Sequence, residues 1–292
     1  MQPLTGDAAV YGEAITRSIK IAVDEINAAG GINGKQIELI VEDSKCNPKD
    51  GATAAAKLVQ IDKVKFIIGG ACSGETLGAA PITEAAKVIL FSPSATSPDI
   101  TDAGDFVFRA APSDAFAGKI AAELANSKGW KKAAVISENT DYAQGLARVF
   151  KKTLTDLGGS IVADESWNPD DIDFRTQALK IKDASPDVVY VVPQAPAKGL
   201  LVIKQLKEAG VTAQLLAGEV LIARDVVKEH GEEIEGMISV EPFFDENAPK
   251  AKAFLDKYRA AYGEPVFPFY QAAGYDIVYL LKEAISQYGE DT

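Results

Sequence analysis

The chain has 292 residues, 47% of them apolar and 25% charged, enough for two domains of ordinary size with a core each. Its 30 lysines and arginines against 42 aspartates and glutamates leave a net charge of −12 with no basic run, which argues against a nucleic-acid surface. No apolar run approaches the roughly 20 residues needed to cross a bilayer, and residues 1–6 carry neither the charged nor the apolar region of a signal peptide.

Residues 11–28 place Ile15, Ile19, Ala22, Val23 and Ile26 on one helical face and stop at Gly30-Gly31, a strong C-terminal signal. A strand is predicted over 36–43, an alanine-rich helix over 50–61 and a strand over 66–69. Phe66-Ile67-Ile68 then runs through Gly69-Gly70-Ala71-Cys72 into a small-residue helix predicted over 73–86. A strand feeding a helix N-terminus leaves N–H groups unpaired, with the positive end of the helix dipole behind them, so the junction suits an anionic group. Ser73 falls at the expected N-cap, where its hydroxyl can serve its own helix or a guest. A strand over 88–91 leads into the loop Ser92-Pro93-Ser94-Ala95-Thr96-Ser97-Pro98, and residues 106–109 are short and extended. This alternation implies parallel pairing with right-handed crossovers.

Ala110-Ala111-Pro112-Ser113-Asp114 interrupts the apolar pattern and caps a helix over 115–127, where the chain is expected to cross into a second domain. There, strands over 133–137, 160–166, 188–192, 214–217 and 236–240 alternate with helices over 142–157, 174–184, 195–209 and 224–230. The unbroken run Val188-Val189-Tyr190-Val191-Val192 marks a strand buried on both faces. Residues 241–245 read as a second crossing, and helices over 249–262 and 269–286 return to the first domain. The expected class is α/β, with two doubly wound parallel-sheet domains: 1–112 plus 243–292, and 113–242.

Ligands of such sheets bind beyond the C-terminal ends of the strands. Residues there are Ser73 and Ser94-Ala95-Thr96 in the first domain, and Tyr142, Gln194 and Glu219 in the second. Hydroxyls and a helix N-terminus on one wall of an interdomain cleft, with a phenol, an amide and a carboxylate on the other, are complementary to a zwitterion. Its α-carboxylate would sit on Ser73 and Thr96, and its α-ammonium on Glu219. A solvated strand-end carboxylate is the ordinary alternative for Glu219, and a packing tyrosine for Tyr142.

Cys46 and Cys72 end two neighbouring predicted strands, which leaves open either a bridge or two buried thiols. A bridge closing a loop of about 26 residues would contribute ~3.5 kcal/mol by chain entropy. One histidine, His230 in a charged stretch, and two separated cysteines form no transition-metal set, and nothing pairs a nucleophile with a base. No enzyme activity, metal or cofactor is therefore expected. Trp130 and Trp167 are expected to pack.

Six stretches, taken in order, carry a family signature. They are Pro3-Leu4-Thr5-Gly6 with Tyr11-Gly12, Glu25-Ile26-Asn27-Ala28-Ala29-Gly30-Gly31, Gly69-Gly70-Ala71-Cys72-Ser73, Ser92-Pro93-Ser94-Ala95-Thr96, Asp141-Tyr142-Ala143-Gln144-Gly145 and Tyr275-Asp276. On these marks nearly the whole chain resembles the periplasmic amino-acid-binding proteins of the leucine/isoleucine/valine type, the substrate-binding components of ABC importers. The resemblance implies a type I periplasmic binding protein fold whose domains close about a multi-strand hinge. It implies that Ser73 and Thr96 hold the ligand carboxylate, helped by backbone around Ser94 and Ala95, and that Glu219 takes the ammonium. Tyr142 and Tyr11 would flank the ligand, with a further aromatic contact at Phe269, and Cys46 would be bridged to Cys72.

The partners so implied are a free branched-chain or other neutral L-amino acid and an ABC transporter membrane permease. The protein would be a monomer in the periplasm or on an extracytoplasmic membrane-anchored surface, without nucleic acid. An extracellular sensor of amides or amino acids is the alternative. Three departures qualify the resemblance. Pro193-Gln194-Ala195 stands where an aromatic side chain is expected, which admits a more polar ligand. Phe267-Pro268-Phe269 leaves open which ring faces the ligand. A β-strand expected before Pro3 and a segment expected after residue 292 are missing, so the chain is expected to be a piece of a longer one, with two strand edges exposed.

Overall fold

The structure, a computed structural model, describes residues 1–291. The chain forms two compact units: Met1–Pro112 together with the stretch from Phe243 onward, and Ser113–Pro242.

The first unit begins with α1 (Ala9–Ala28), α2 (Pro48–Gln60), β1 (Phe66–Ile68), α3 (Ser73–Ala86), β2 (Ile89–Ser92) and β3 (Val107–Arg109). It is completed by α9 (Pro249–Tyr262) and α10 (Pro268–Tyr288). Its three strands are parallel in the order β1-β2-β3. The periodic face of α1, Ile15 to Ile26, packs with Tyr270 and Val278 of α10. After α1 the backbone turns at Gly31, whose φ of +79° and 1.9 Å approach of an imagined Cβ to the Lys35 carbonyl oxygen exclude any side chain. Asn47 caps α2 by accepting the Asp50 N–H at 2.9 Å, with Pro48 in the first turn, so this helix starts two residues earlier than expected.

The strand expected over 36–43 does not form. This segment has no regular secondary structure and joins a strand partner only through the parallel bridge of Asp43 to Gln2. Gln2 N–H donates to the Glu42 carbonyl at 3.1 Å, and Ser44 N–H donates to the Gln2 carbonyl at 3.1 Å. An alternating sequence becomes a strand only beside another strand along its length.

The second unit runs α4 (Asp114–Ser127), β4 (Lys132–Glu138), α5 (Asp141–Asp156), β5 (Ser160–Trp167), α6 (Arg175–Ala184), β6 (Val188–Val192), α7 (Pro196–Ala209), β7 (Gln214–Gly218), α8 (Arg224–His230) and β8 (Ile238–Val240). Its parallel sheet has the order β5-β4-β6-β7-β8. Val188, Tyr190 and Val192 join a core with Ala121, Ala122 and Ala125 of α4 and with Leu146 and Phe150 of α5. Val189 and Val191 are equally buried, and successive strand residues point to opposite faces. That double burial is why β6 reads as an unbroken apolar run. Trp167 is buried against Phe174, Trp130 packs half-buried on the core, and His230 lies half-exposed beside Glu233 at 2.8 Å.

Candidate functional site

In the first unit, β1 ends at Ile68 and the chain passes through Gly69-Gly70-Ala71 into α3. The N-cap of α3 is Cys72 and not Ser73 as expected. Glu75, three residues on, reaches back and accepts the Cys72 N–H at 2.9 Å, a capping-box arrangement that fixes the first turn one position upstream. Ser73 is thereby released to face the loop after β2, where its oxygen accepts the Ser97 N–H at 3.0 Å. A hydroxyl that accepts in this way still has its own O–H to donate.

That loop is held from below. Ser92 Oγ donates to the Gly70 carbonyl at 2.6 Å and accepts the Ala95 N–H at 2.8 Å, while Ser94 Oγ donates to the Ala71 carbonyl at 2.9 Å. Arg109 Nη1 donates to the carbonyls of Thr96 at 3.2 Å and Ser97 at 2.7 Å. Ser73, Ser94, Ala95 and Thr96 are thus brought together beyond the ends of β1 and β2, beside the positive end of α3. Ser94 spends its hydroxyl on the loop itself.

Tyr11, in α1, lies edge-on to Phe267 with ring centroids 4.8 Å apart. Phe269 packs instead against Tyr270 at 5.2 Å and Phe244 at 6.1 Å. Of the two rings around Pro268, Phe267 therefore shares the position of Tyr11 and Phe269 does not. Helical geometry sends residues two apart to different sides.

Below the junction, Cys46 and Cys72 form a disulfide with Cα atoms 5.3 Å apart. Glu75 is fully buried there. It accepts the Ser44 hydroxyl and, at 3.1 Å, the Cys46 N–H, in addition to the Cys72 N–H. Burial pushes its carboxyl up to about 7, against the opposing pull of these donors. Glu75 carries a sequence signal, a glutamate three residues after a helix N-cap, but that signal emerges only when the cap is Cys72 and not Ser73.

In the second unit, Thr140 caps α5 by accepting the Ala143 N–H at 3.3 Å, which sets Tyr142 in the first turn at 5% exposure. The Tyr142 hydroxyl lies over Gly218 at the end of β7, and a Cβ there would come within 3.0 Å of it. Glu219 follows directly, 8% exposed, and opens a short 3-10 turn over Glu219–Ile222. A glycine at 218 is what leaves room for the phenol over the end of β7. Gln194, half-buried beyond β6, donates its backbone N–H to Glu138 Oε2 at 2.8 Å.

Two buried carboxylates escaped the sequence reading: Glu138, the last residue of β4, and Asp114, the first of α4. Glu138 lies inside the predicted turn after its strand, and Asp114 looked like an ordinary helix-start acid. Tyr190 is fully buried, and its hydroxyl has no hydrogen-bond partner. Burial, then the negative charges of Asp114 and Glu219, hold that phenol well above its usual range. The strand ends of this unit therefore gather negative charge suited to a cation, while those of the first unit offer donors suited to an anion. Among the described residues no cluster of histidine, cysteine, aspartate and glutamate is arranged to hold a metal.

Residues 1–292 match the family described as periplasmic binding protein. The chain is 34% identical over 290 residues to the leucine-, isoleucine-, valine-, threonine- and alanine-binding protein of Pseudomonas aeruginosa, covering 99% of this chain and 77% of that one. Among solved structures it superposes on a leucine-binding protein of Thermotoga maritima with a TM-score of 0.89 at 30% identity, covering 99% of this chain and 83% of that one. A branched-chain amino acid transporter substrate-binding protein of Streptococcus pneumoniae, solved in complex with isoleucine, gives a TM-score of 0.86 at 34% identity, with 99% and 84% covered. With a match along its full length and a relative of this similarity, the chain belongs to the periplasmic binding protein family.

Proposed function

We propose that this protein captures a free L-amino acid with a neutral side chain, branched-chain ligands above all, and delivers it to an ABC-type membrane permease on the outer side of the cytoplasmic membrane. It acts as a monomer and as a carrier, without chemical turnover. The observation that carries the reading is Glu219, a carboxylate 8% exposed directly beyond β7, next in the chain to Gly218, over which the Tyr142 hydroxyl lies. A buried carboxylate at a strand end recognises an ammonium group. Ser73, Thr96 and the N-terminus of α3 offer the matching donors for the α-carboxylate. Relatives whose names and bound ligands are branched-chain amino acids support the same ligand class.

Calorimetry with L-leucine, L-isoleucine and L-valine tests this, run beside 4-methylpentanoate, which lacks the ammonium, and 3-methylbutylamine, which lacks the carboxylate. Binding is expected for the amino acids, and a loss of at least ~100-fold for each truncated analogue, since each leaves a buried charged partner unmatched. Equal affinity for leucine and 4-methylpentanoate would rule out Glu219 as the ammonium receptor.

A further inference from the structure

Arg109 is the last residue of β3, and the parallel register sets it opposite Ser92, the last residue of β2. Its side chain therefore reaches the loop that β2 feeds. Nη1 lies across two successive carbonyls of that loop, Thr96 at 3.2 Å and Ser97 at 2.7 Å, while Nη2 donates to the Thr101 hydroxyl at 2.6 Å. A guanidinium fork spans such a set of acceptors, and a compact ammonium does not. The course of the loop has other supports, because Ser92 and Ser94 tie it to the Gly70 and Ala71 carbonyls.

The Thr96 carbonyl belongs to the same peptide unit as the Ser97 N–H. That N–H donates to Ser73 Oγ at 3.0 Å, and the Ser73 hydroxyl keeps its own proton to donate to a guest. Each bond in such a chain polarises the next, so a donor on the carbonyl of a peptide unit strengthens the N–H at its other end. Thr96, Ser97 and Ser73 are all buried, and charge is weakly screened among them. Arginine stays charged throughout the working pH range.

We propose that Arg109 is a positioning residue for the ligand α-carboxylate: without touching the ligand, it brings positive charge to the carboxylate through the Thr96–Ser97 peptide and the Ser73 hydroxyl. The inference rests on Ser73 as the carboxylate donor. It adds the charge that makes this end of the site prefer a carboxylate to a neutral carboxamide of the same shape.

Calorimetry with L-leucine and L-leucinamide at about pH 6, where both α-amines are charged, separates charge from shape. Arg109→Gln removes the charge and keeps an amide group able to donate to the loop carbonyls. The parent is expected to bind leucine more tightly than leucinamide. In Arg109→Gln, leucine is expected to lose ~10-fold and leucinamide less than ~3-fold, so the preference narrows. Equal losses for the two ligands, or none for either, overturn the proposal, since a residue that only shapes the loop treats both alike. So does a parent that binds both ligands equally well. A parent that binds neither overturns amino-acid capture itself and this inference with it, an outcome visible before any variant is made. Where Arg109→Gln does not melt cooperatively, the parent decides. Its Ser97 amide proton, followed by NMR, is expected to move further downfield with saturating leucine than with saturating leucinamide, and equal movement overturns the proposal.

Discussion

The oxygen of Ser73 accepts the backbone N–H of Ser97 at 3.0 Å, joining the first residue of α3 to the loop after β2. Ser73→Ala removes that acceptor inside a buried site and removes a donor from the proposed carboxylate position. The expected cost is about 1–3 kcal/mol in stability together with a ~10–100-fold loss of leucine affinity. Ser94→Ala separates the two effects, because the Ser94 hydroxyl is bonded to the Ala71 carbonyl. Calorimetry should show a smaller affinity loss for Ser94→Ala at a similar drop in urea midpoint.

Glu219→Gln keeps the shape of the strand end and removes its charge. A loss of ~10–100-fold in amino-acid affinity is expected, following the value of a hydrogen bond to a charged group. Trp130→Phe, a change in the packing shell of the core, should leave affinity within a few-fold of the parent. Equal losses in the two variants would put the ammonium elsewhere.

Glu75 gives the first unit a pH dependence. Burial raises its carboxyl from 4.5 to about 7, so the folded chain binds this proton more tightly than the unfolded chain does. Its contribution is therefore complete below about pH 4.5 and is lost as pH rises through about 7, on the order of 3 kcal/mol in all. Urea unfolding from pH 4.5 to 8 should show this downward slope, and Glu75→Gln should flatten it. An unchanged slope in the variant would mean that Glu75 is ionised in the folded protein throughout.

Tyr190→Phe removes a fully buried hydroxyl that has no hydrogen-bond partner. Burying such a group is unfavourable, so the variant is expected to match the parent or to gain up to about 1 kcal/mol. A loss above 1 kcal/mol in urea unfolding would show that the hydroxyl is satisfied in solution.

Much of this protein is written locally. The helical face of α1, the stop at Gly30-Gly31, the all-apolar β6 and the small-residue start of α3 follow from periodicity and backbone preference acting within a few residues. The same local order placed Ser73, the Ser94 to Thr96 loop, Tyr142, Gln194 and Glu219 just beyond strand ends, because in a parallel sheet a strand followed by a helix leaves its next residues at the C-terminal edge.

What only the tertiary structure decided depended on partners distant in sequence. The cap of α3 moved from Ser73 to Cys72 because Glu75 bonds back to it while anchored to Ser44 and Cys46. Phe267 rather than Phe269 met Tyr11 because α1 and α10 are brought together from opposite ends of the chain. Residues 36–43 carry a strand pattern and stay without a ladder, since a strand takes its hydrogen bonds from a neighbour and the sequence of the segment alone cannot supply one.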